Sequence, residues 1–127
     1  MDFYRMIYFY NSAEKFYKEN DYINAISRMY YAVYHTMCWR LISTGFTDKV
    51  TGHKNIRVQF SSKFSNVSEK FILNCQKLRE KVDYKATKEM EILTNELYQG
   101  YNSMRLFVLQ QQQLQQQDKP TREYIER

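Results

Sequence analysis

The chain has 127 residues and a formal net charge of +5, with three glycines and one proline. This length suits one domain with a hydrophobic core and is too short for two domains of usual size. The scarcity of turn-forming residues excludes a typical all-β sandwich, whereas the many Leu, Lys, Glu, Gln, Met and Arg residues favour helices. We therefore expect an all-α protein.

A first helix is predicted from just after Asp2 to about Glu19, where apolar residues recur at helical spacing. The residues "ENDY" interrupt this pattern, and Asp21 is a suitable N-cap for a second helix. The second helix is expected to end near Ser43, because Gly45 then supplies a C-terminal stop.

The second half of the chain predicts three more helices. A short amphipathic helix is expected around Ile56 and Phe60, and a further helix carries apolar residues from Val67 to Val82. Thr87 is the expected cap of the last long helix. The apolar stripe of that last helix is predicted to contain Met90, Leu93, Leu97, Met104 and Val108.

The last helical pattern continues into a glutamine-rich tract, "QQQQLQQQ", at positions 110–117. Such a tract lacks the apolar side chains that hold a helix against a core. We therefore expect a single helical domain at residues 1–109. A frayed Gln-rich helical extension, with a flexible tail beyond Pro120, is expected at 110–127.

The second predicted helix carries apolar residues on two faces. One stripe fits a core-facing surface and contains Ile23, Ile26, Tyr30, Val33, Met37 and Leu41. The stripe nearly opposite contains Arg28, Tyr31, His35, Cys38, Trp39 and Ile42. A helix used on two faces is either central in a bundle or shared with another subunit.

Arg28 and His35 are seven positions apart, so they point in nearly the same direction and lie about 10.5 Å apart along the helix axis. A phosphate between them would be held by the guanidinium while the imidazole moves a proton. Tyr31 stands between the two residues. The spacing alone favours packing and hydrogen bonding over catalysis for this pair.

Positive charge is concentrated in the middle of the chain. Residues 49–85 contain nine basic and three acidic residues. This distribution suits phosphates or an acidic partner, and a solvated lysine-rich surface explains it equally well.

The sequence predicts neither a membrane segment nor a metal site. No apolar run reaches the roughly 20 residues of a bilayer-spanning helix, so a cytoplasmic location without membrane attachment is expected. Cys38 and Cys75 are isolated, which predicts free thiols. With His35 and His53 they match no standard zinc spacing, and no cofactor is expected.

Three blocks, in this order, resemble the HEPN superfamily of small helical domains, the "higher eukaryotes and prokaryotes nucleotide-binding" domains. They are "SRMYYAVYH" at 27–35, "GHKNIRVQF" at 52–60 and "REKVDY" at 79–84. The resemblance spans about residues 11–109 and points to the compact bacterial and archaeal branch. It implies an up-and-down bundle of four to five helices that forms a homodimer.

The resemblance also implies a nucleic-acid-linked function. Many HEPN proteins look like metal-independent endoribonucleases that act as toxins or defence components, some beside a minimal nucleotidyltransferase antitoxin. In this chain it implies His35 as the general acid or base of RNA cleavage and Arg28 as the charge stabiliser, with Tyr31 orienting them. The expected phosphate contacts in the basic middle are His53, Lys54, Arg57 and Arg79.

The alternative is a non-catalytic HEPN dimer that binds nucleotide, RNA or a nucleotidyltransferase partner, with Arg28 and His35 in packing roles. For His53, a local hydrogen-bonding role at a helix start competes with phosphate binding. A tetratricopeptide-like hairpin ranks lower, because the pattern does not recur at a 34-residue period.

Overall fold

A computed structural model describes residues 2–46, 52–85 and 88–117 of the chain. The regular structure within these ranges is entirely helical. The helices are α1 (Asp2–Lys18), α2 (Tyr22–Ser43), α3 (His53–Lys63), α4 (Glu69–Tyr84) and α5 (Asn95–Gln117), with a short 3₁₀ helix (Lys88–Glu91) before α5. The prediction of an all-α bundle is confirmed.

α2 is the central helix of the bundle, because each of the other four α-helices packs against it. Its predicted core stripe is buried at Ile26, Tyr30, Val33, Met37 and Leu41. The apolar residues of this stripe recur every three or four positions, so they fall on one side of the helix. The location of the hydrophobic core was therefore predictable from the period of α2.

The junction between α1 and α2 forms where the sequence predicts it. The Asp21 carboxylate accepts a hydrogen bond from the backbone nitrogen of Asn24 at 3.2 Å, which satisfies one of the free N–H groups at the start of α2. Asn20 adopts a left-handed backbone conformation with φ of 63°. Asparagine tolerates this conformation better than most residues do, so the chain reverses without a glycine.

α5 begins later than predicted. Thr94 caps it, since its hydroxyl accepts a hydrogen bond from the backbone nitrogen of Leu97 at 3.2 Å. Met90 and Leu93 precede the helix, so the prediction that they lie on its stripe is wrong. The predicted cap, Thr87, lies outside the described residues.

The glutamine tract is held more firmly than its composition predicts. α5 runs through Gln117, and Gln111 and Gln115 are buried. Both accept hydrogen bonds from the buried Arg40 of α2, at 3.0 Å from Nε and 2.8 Å from Nη1. The expectation that nothing holds this tract against the core is wrong for these positions, because a polar partner takes the place of an apolar one. The tail beyond Gln117 lies outside the described residues.

The second face of α2 is covered by α1 of the same chain. Phe9 of α1 packs on Tyr31 and stacks on His35, with ring centroids 5.5 and 5.6 Å apart. Phe3 of α1 packs on Trp39, with centroids 5.3 Å apart. The two-faced pattern thus reflects a central position in the bundle. Among the described helices, none combines the length and apolarity that crossing a membrane requires.

Candidate functional site

Arg79 lies where the three sequence blocks meet. Its guanidinium carbon is 5.3 Å from the ring centre of Tyr30 and 5.6 Å from that of Tyr31, both in the first block. His53, from the second block, hydrogen-bonds the same Tyr30. Arg57 lies near enough for its charge to lower the pKa of both Tyr30 and His53. We call His53, Arg57 and Arg79, with Tyr30 and Tyr31, the Arg79 cluster.

The guanidinium of Arg79 is buried but weakly bonded. Only 6% of the residue is exposed. Its Nη1 donates to Asp83 Oδ2 at 3.4 Å and to the Tyr84 hydroxyl at 3.5 Å, distances at the long limit of hydrogen bonding. Among the described residues, its Nε has no hydrogen-bond partner. A buried donor without a partner is costly, so this guanidinium retains capacity for a further acceptor.

Arg57 of α3 repeats this situation. The residue is 8% exposed, and its buried Nε likewise has no hydrogen-bond partner in the part of the chain that the structure describes. Its Nη1 donates to Gln76 Oε1 at 2.8 Å, and the Gln76 amide donates to Glu80 Oε1 at 3.1 Å. Gln76 thus separates the guanidinium from the nearest carboxylate in this chain of bonds, so the positive charge is only partly compensated.

His53 completes the cluster at the start of α3. A hydrogen bond of 2.8 Å joins its Nδ1 to the Tyr30 hydroxyl. Burial lowers the pKa of His53, and the charges of Arg79 and Arg57 lower it further, while Glu80 acts in the opposite direction. Burial also raises the pKa of Tyr30, so its hydroxyl stays protonated at neutral pH. An anion between these groups would favour the protonated imidazole.

Of the four predicted phosphate contacts, the structure brings together three and leaves Lys54 apart. Lys54 is exposed on α3 and takes part in none of the cluster's contacts. Tyr84 lies at the rim, 74% exposed, with its ring centre 5.8 Å from the Arg79 guanidinium. The buried arginines of the cluster therefore lie beside an exposed aromatic ring.

His35 lies on the neighbouring part of α2 and pairs with α1. Its Nδ1 is 2.9 Å from Asp2 Oδ1. An ionised carboxylate only accepts hydrogen bonds, so Nδ1 carries the proton and Nε2 is the nitrogen left for exchange. The stacked Phe9 ring, parallel to the imidazole within 1°, fixes the ring plane further.

A cavity of about 230 Å³ opens beside His35. We call it the His35 cavity. Its polar part is formed by Asp2, Arg5, Tyr34, His35 and Cys38, and its apolar part by Leu41, Ile42, Phe46 and Ile56. Burial raises the pKa of the Cys38 thiol to about 12, with a further contribution from the Asp2 charge. This thiol is protonated at neutral pH and is a poor nucleophile.

Arg28 does not share the His35 cavity. Its guanidinium carbon lies 5.9 Å from the ring centres of both Phe9 and Phe16 of α1. Among the described contacts, no hydrogen bond joins Arg28 to His35, and each instead packs on Phe9. Tyr31 contacts Phe9 of α1 and Arg79 of α4, so it belongs to the Arg79 cluster and also packs on α1.

The His35 cavity and the Arg79 cluster are neighbours. The Tyr34 ring lies 5.3 Å from the His35 ring and 4.8 Å from the His53 ring, centre to centre. One aromatic side chain therefore separates the two histidines. Sequence reasoning missed Asp2, Arg5 and Tyr34. The available signal was Asp2 at the start of the first predicted helix with Arg5 about one turn later, and an acidic residue at that place is already explained by the helix dipole.

Within residues 2–46, 52–85 and 88–117, no three His, Cys, Asp or Glu side chains come together as a metal-ligating group. Comparison of the chain with protein-family profiles, with curated proteins and with solved structures finds no match. The functional argument therefore rests on the geometry of the Arg79 cluster and the His35 cavity.

Proposed function

We propose that this protein is an RNA-binding helical module, similar to HEPN domains, that holds a backbone phosphate in the Arg79 cluster. The observation that carries the proposal is the pair of buried guanidinium groups, Arg57 and Arg79, whose Nε atoms have no hydrogen-bond partner within residues 2–46, 52–85 and 88–117. The three blocks that resemble HEPN domains supply the residues around them. A phosphate offers the acceptors that both guanidinium groups lack.

The electrostatics of the cluster favour an anion. In the described ranges, Arg79 has one carboxylate partner, Asp83, at 3.4 Å, and Arg57 is linked to Glu80 through Gln76. Buried positive charge that is incompletely paired gains more from an anion than an exposed lysine does, because the surrounding dielectric is lower.

A strand of RNA explains more of the surface than a free nucleotide does. The exposed Tyr84 ring beside Arg79 is placed to stack on an unpaired base. The excess of basic residues at 49–85 extends beyond the three cluster side chains. Extended positive surface serves several successive phosphates, as single-strand binding requires.

The test is fluorescence anisotropy with a labelled single-stranded RNA and Arg79→Gln protein. We expect the dissociation constant to rise about 10- to 100-fold, the equivalent of one charge-assisted contact. The slope of log affinity against log salt should fall by about 0.7 for the lost phosphate contact. Lys70→Gln removes the same charge from the exposed start of α4 and is the matched control, with an expected change below about threefold.

Circular dichroism of each variant establishes that the fold is intact. Equal losses in Arg79→Gln and Lys70→Gln would indicate diffuse attraction by the basic surface and contradict a specific site. If ATP competes with RNA at equal phosphate concentration, the ligand is a nucleotide and the RNA assignment is wrong.

RNA cleavage with His35 as the acid–base group is a second candidate function. The Asp2–His35 hydrogen bond beside an open cavity favours it, since this arrangement orients an imidazole for proton transfer.

The HEPN resemblance is what supports a homodimer and a minimal nucleotidyltransferase antitoxin. We include both in the proposal as partners to be sought, by sedimentation of the purified chain and by co-purification with a neighbouring gene product.

A further inference from the structure

We propose that the His35 cavity binds a small monocarboxylate with an apolar chain, holding the carboxylate on Arg5 and the chain against Leu41 and Ile56. Binding of this ligand does not require RNA in the Arg79 cluster. It concerns the space beside His35 and not proton transfer by the imidazole.

The His35 cavity is charged and exposed at its mouth, and apolar and buried at its floor. Arg5 of α1 and Ile42 of α2 line it and are both exposed. Leu41 of α2 and Ile56 of α3 also line it and are only 2% and 3% exposed. Such a gradient fits a ligand with a charged head and an apolar body, since buried apolar side chains gain from contact with hydrocarbon.

The volume of the cavity limits the size of this ligand. At about 230 Å³, it is smaller than the roughly 300–1,000 Å³ of sites that hold drug-sized molecules. Its lining comes from α1, α2, α3 and Phe46, the last residue described after α2. A short carbon chain with one head group therefore suits the space better than a larger molecule does.

The charges around the cavity favour an anionic head. Asp2 is already engaged, because its Oδ1 pairs with His35 Nδ1 at 2.9 Å. No hydrogen bond or ion pair engages the Arg5 guanidinium within the described part of the chain. Burial raises the pKa of the Tyr34 hydroxyl and of the Cys38 thiol, so both are neutral at pH 7. Arg5 is therefore the charge that remains for a ligand.

A carboxylate matches Arg5 better than a phosphate does. A guanidinium holds the two oxygens of a carboxylate by parallel hydrogen bonds. Because the Asp2 carboxylate lines the same cavity, a second negative charge on the ligand would be repelled. The Arg79 cluster, with two incompletely bonded arginines, suits a phosphate, whereas the His35 cavity, with one arginine and an apolar floor, suits a monoanion.

The experiment is a proton NMR titration of the full chain with hexanoate, read from the imidazole Hε1 signals. The chain has two histidines. His35 lines the cavity and His53 belongs to the Arg79 cluster, so each signal reports one site. The spectrum of His53→Gln protein assigns the two signals. We expect the His35 signal to shift and saturate, with a smaller shift at His53.

A series of probes separates the contribution of the head from that of the chain. From propionate to hexanoate, each added CH₂ should lower the dissociation constant about three- to fourfold until the cavity is filled. Hexanol and hexylamine carry the same chain with a neutral and a positive head. We expect both to bind about 10-fold or more weakly than hexanoate, because neither forms a charge-assisted bond with Arg5.

The matched variants are Arg5→Gln and Lys15→Gln. Arg5→Gln should raise the dissociation constant of hexanoate about 10-fold and leave that of hexanol within about twofold, because only the carboxylate contacts Arg5. Lys15→Gln removes an exposed positive charge from the last turn of α1 and should leave hexanoate binding within about twofold. Circular dichroism shows whether each variant is folded.

Four results would overturn the carboxylate site. They are the absence of a His35 shift with hexanoate, a shift at His53 alone, equal weakening in Arg5→Gln and Lys15→Gln, and tighter binding of hexylamine than of hexanoate. A shift at His53 alone would place the anion in the Arg79 cluster, and tighter binding of hexylamine would make Asp2 the anchoring charge. Hexanoate binding that persists in Arg79→Gln protein, whatever the RNA affinity of that variant, separates this site from the proposed function.

Discussion

Two buried arginines, Arg40 on α2 and Arg79 on α4, show how differently one side chain can be used. Arg40 is bonded at short range by Gln111 and Gln115, at 3.0 and 2.8 Å, and its guanidinium carbon lies 4.3 Å from the ring centre of Phe64. Arg79 makes contacts of 3.4 and 3.5 Å, and its Nε lacks a hydrogen-bond partner among the residues that the structure describes. Both are over nine-tenths buried.

The difference separates a structural arginine from one suited to a ligand. Short bonds at Arg40 satisfy donors and acceptors together, so the group contributes to the stability of the fold. Long bonds and an unsatisfied donor at Arg79 leave interaction energy that only a further acceptor can recover. Burial alone therefore does not distinguish the two roles, whereas the completeness of hydrogen bonding does.

The largest expected effect comes from Arg40→Met, which should lower the free energy of unfolding by about 2–4 kcal/mol because the buried glutamine oxygens then lack a donor. The matched variant Arg79→Met should change it by less than about 1 kcal/mol, since a methionine fills the space without losing strong bonds. Urea unfolding followed by circular dichroism measures both. An equal loss of unfolding free energy in the two variants would contradict the assignment of Arg40 as structural and Arg79 as available to a ligand.

A smaller effect is expected within the glutamine tract. Gln111→Ala should cost about 1–2 kcal/mol, because its buried oxygen is the acceptor for Arg40 Nε. Gln113→Ala, at an exposed position of α5, should stay within about 0.5 kcal/mol. Thermal unfolding of the two variants provides the comparison. Equal melting temperatures of the two variants would contradict the inference that Arg40 holds the glutamine tract against the core.

The smallest effect is the pH dependence of stability from His53. Its pKa in the folded protein is lowered by burial and by Arg79 and Arg57, so the unfolded chain takes up a proton first as the pH falls. The stabilising contribution of neutral His53 is present above about pH 6.5 and is lost below it. His53→Gln should flatten this part of the stability curve, measured by urea unfolding between pH 7.5 and about 5. An unchanged slope would show that His53 titrates normally.

Local features of the sequence predicted local features of the fold. Asp21 and the α2 stripe were predictable because capping and helical period involve residues a few positions apart. The Asp2–His35 and Arg40–Gln115 bonds join residues 33 and 75 positions apart, and neither leaves a periodic signal. Charge and residue type gave no means of choosing these partners.

The candidate site likewise has one part that the sequence predicted and one part that it did not. The three blocks that resemble HEPN domains contain His53, Arg57 and Arg79. In the structure His53 and Arg79 contact Tyr30, and the charge of Arg57 lowers the pKa of Tyr30. The predicted pairing of Arg28 with His35 was based on their similar direction on one helix. The spacing of residues within that helix cannot show which side chain of another helix lies between them. Phe9 of α1 contacts both side chains, and the prediction from spacing had no access to it.

The bonds of Arg40 make the glutamine tract sensitive to its own length. One glutamine inserted between positions 110 and 113 would move Leu114 to position 115, where a hydrocarbon side chain would face the guanidinium in place of an amide oxygen. The same insertion after Leu114 would leave glutamines at both 111 and 115. The contacts of Arg40 thus constrain the number of glutamines before Leu114 and leave the number after it unconstrained.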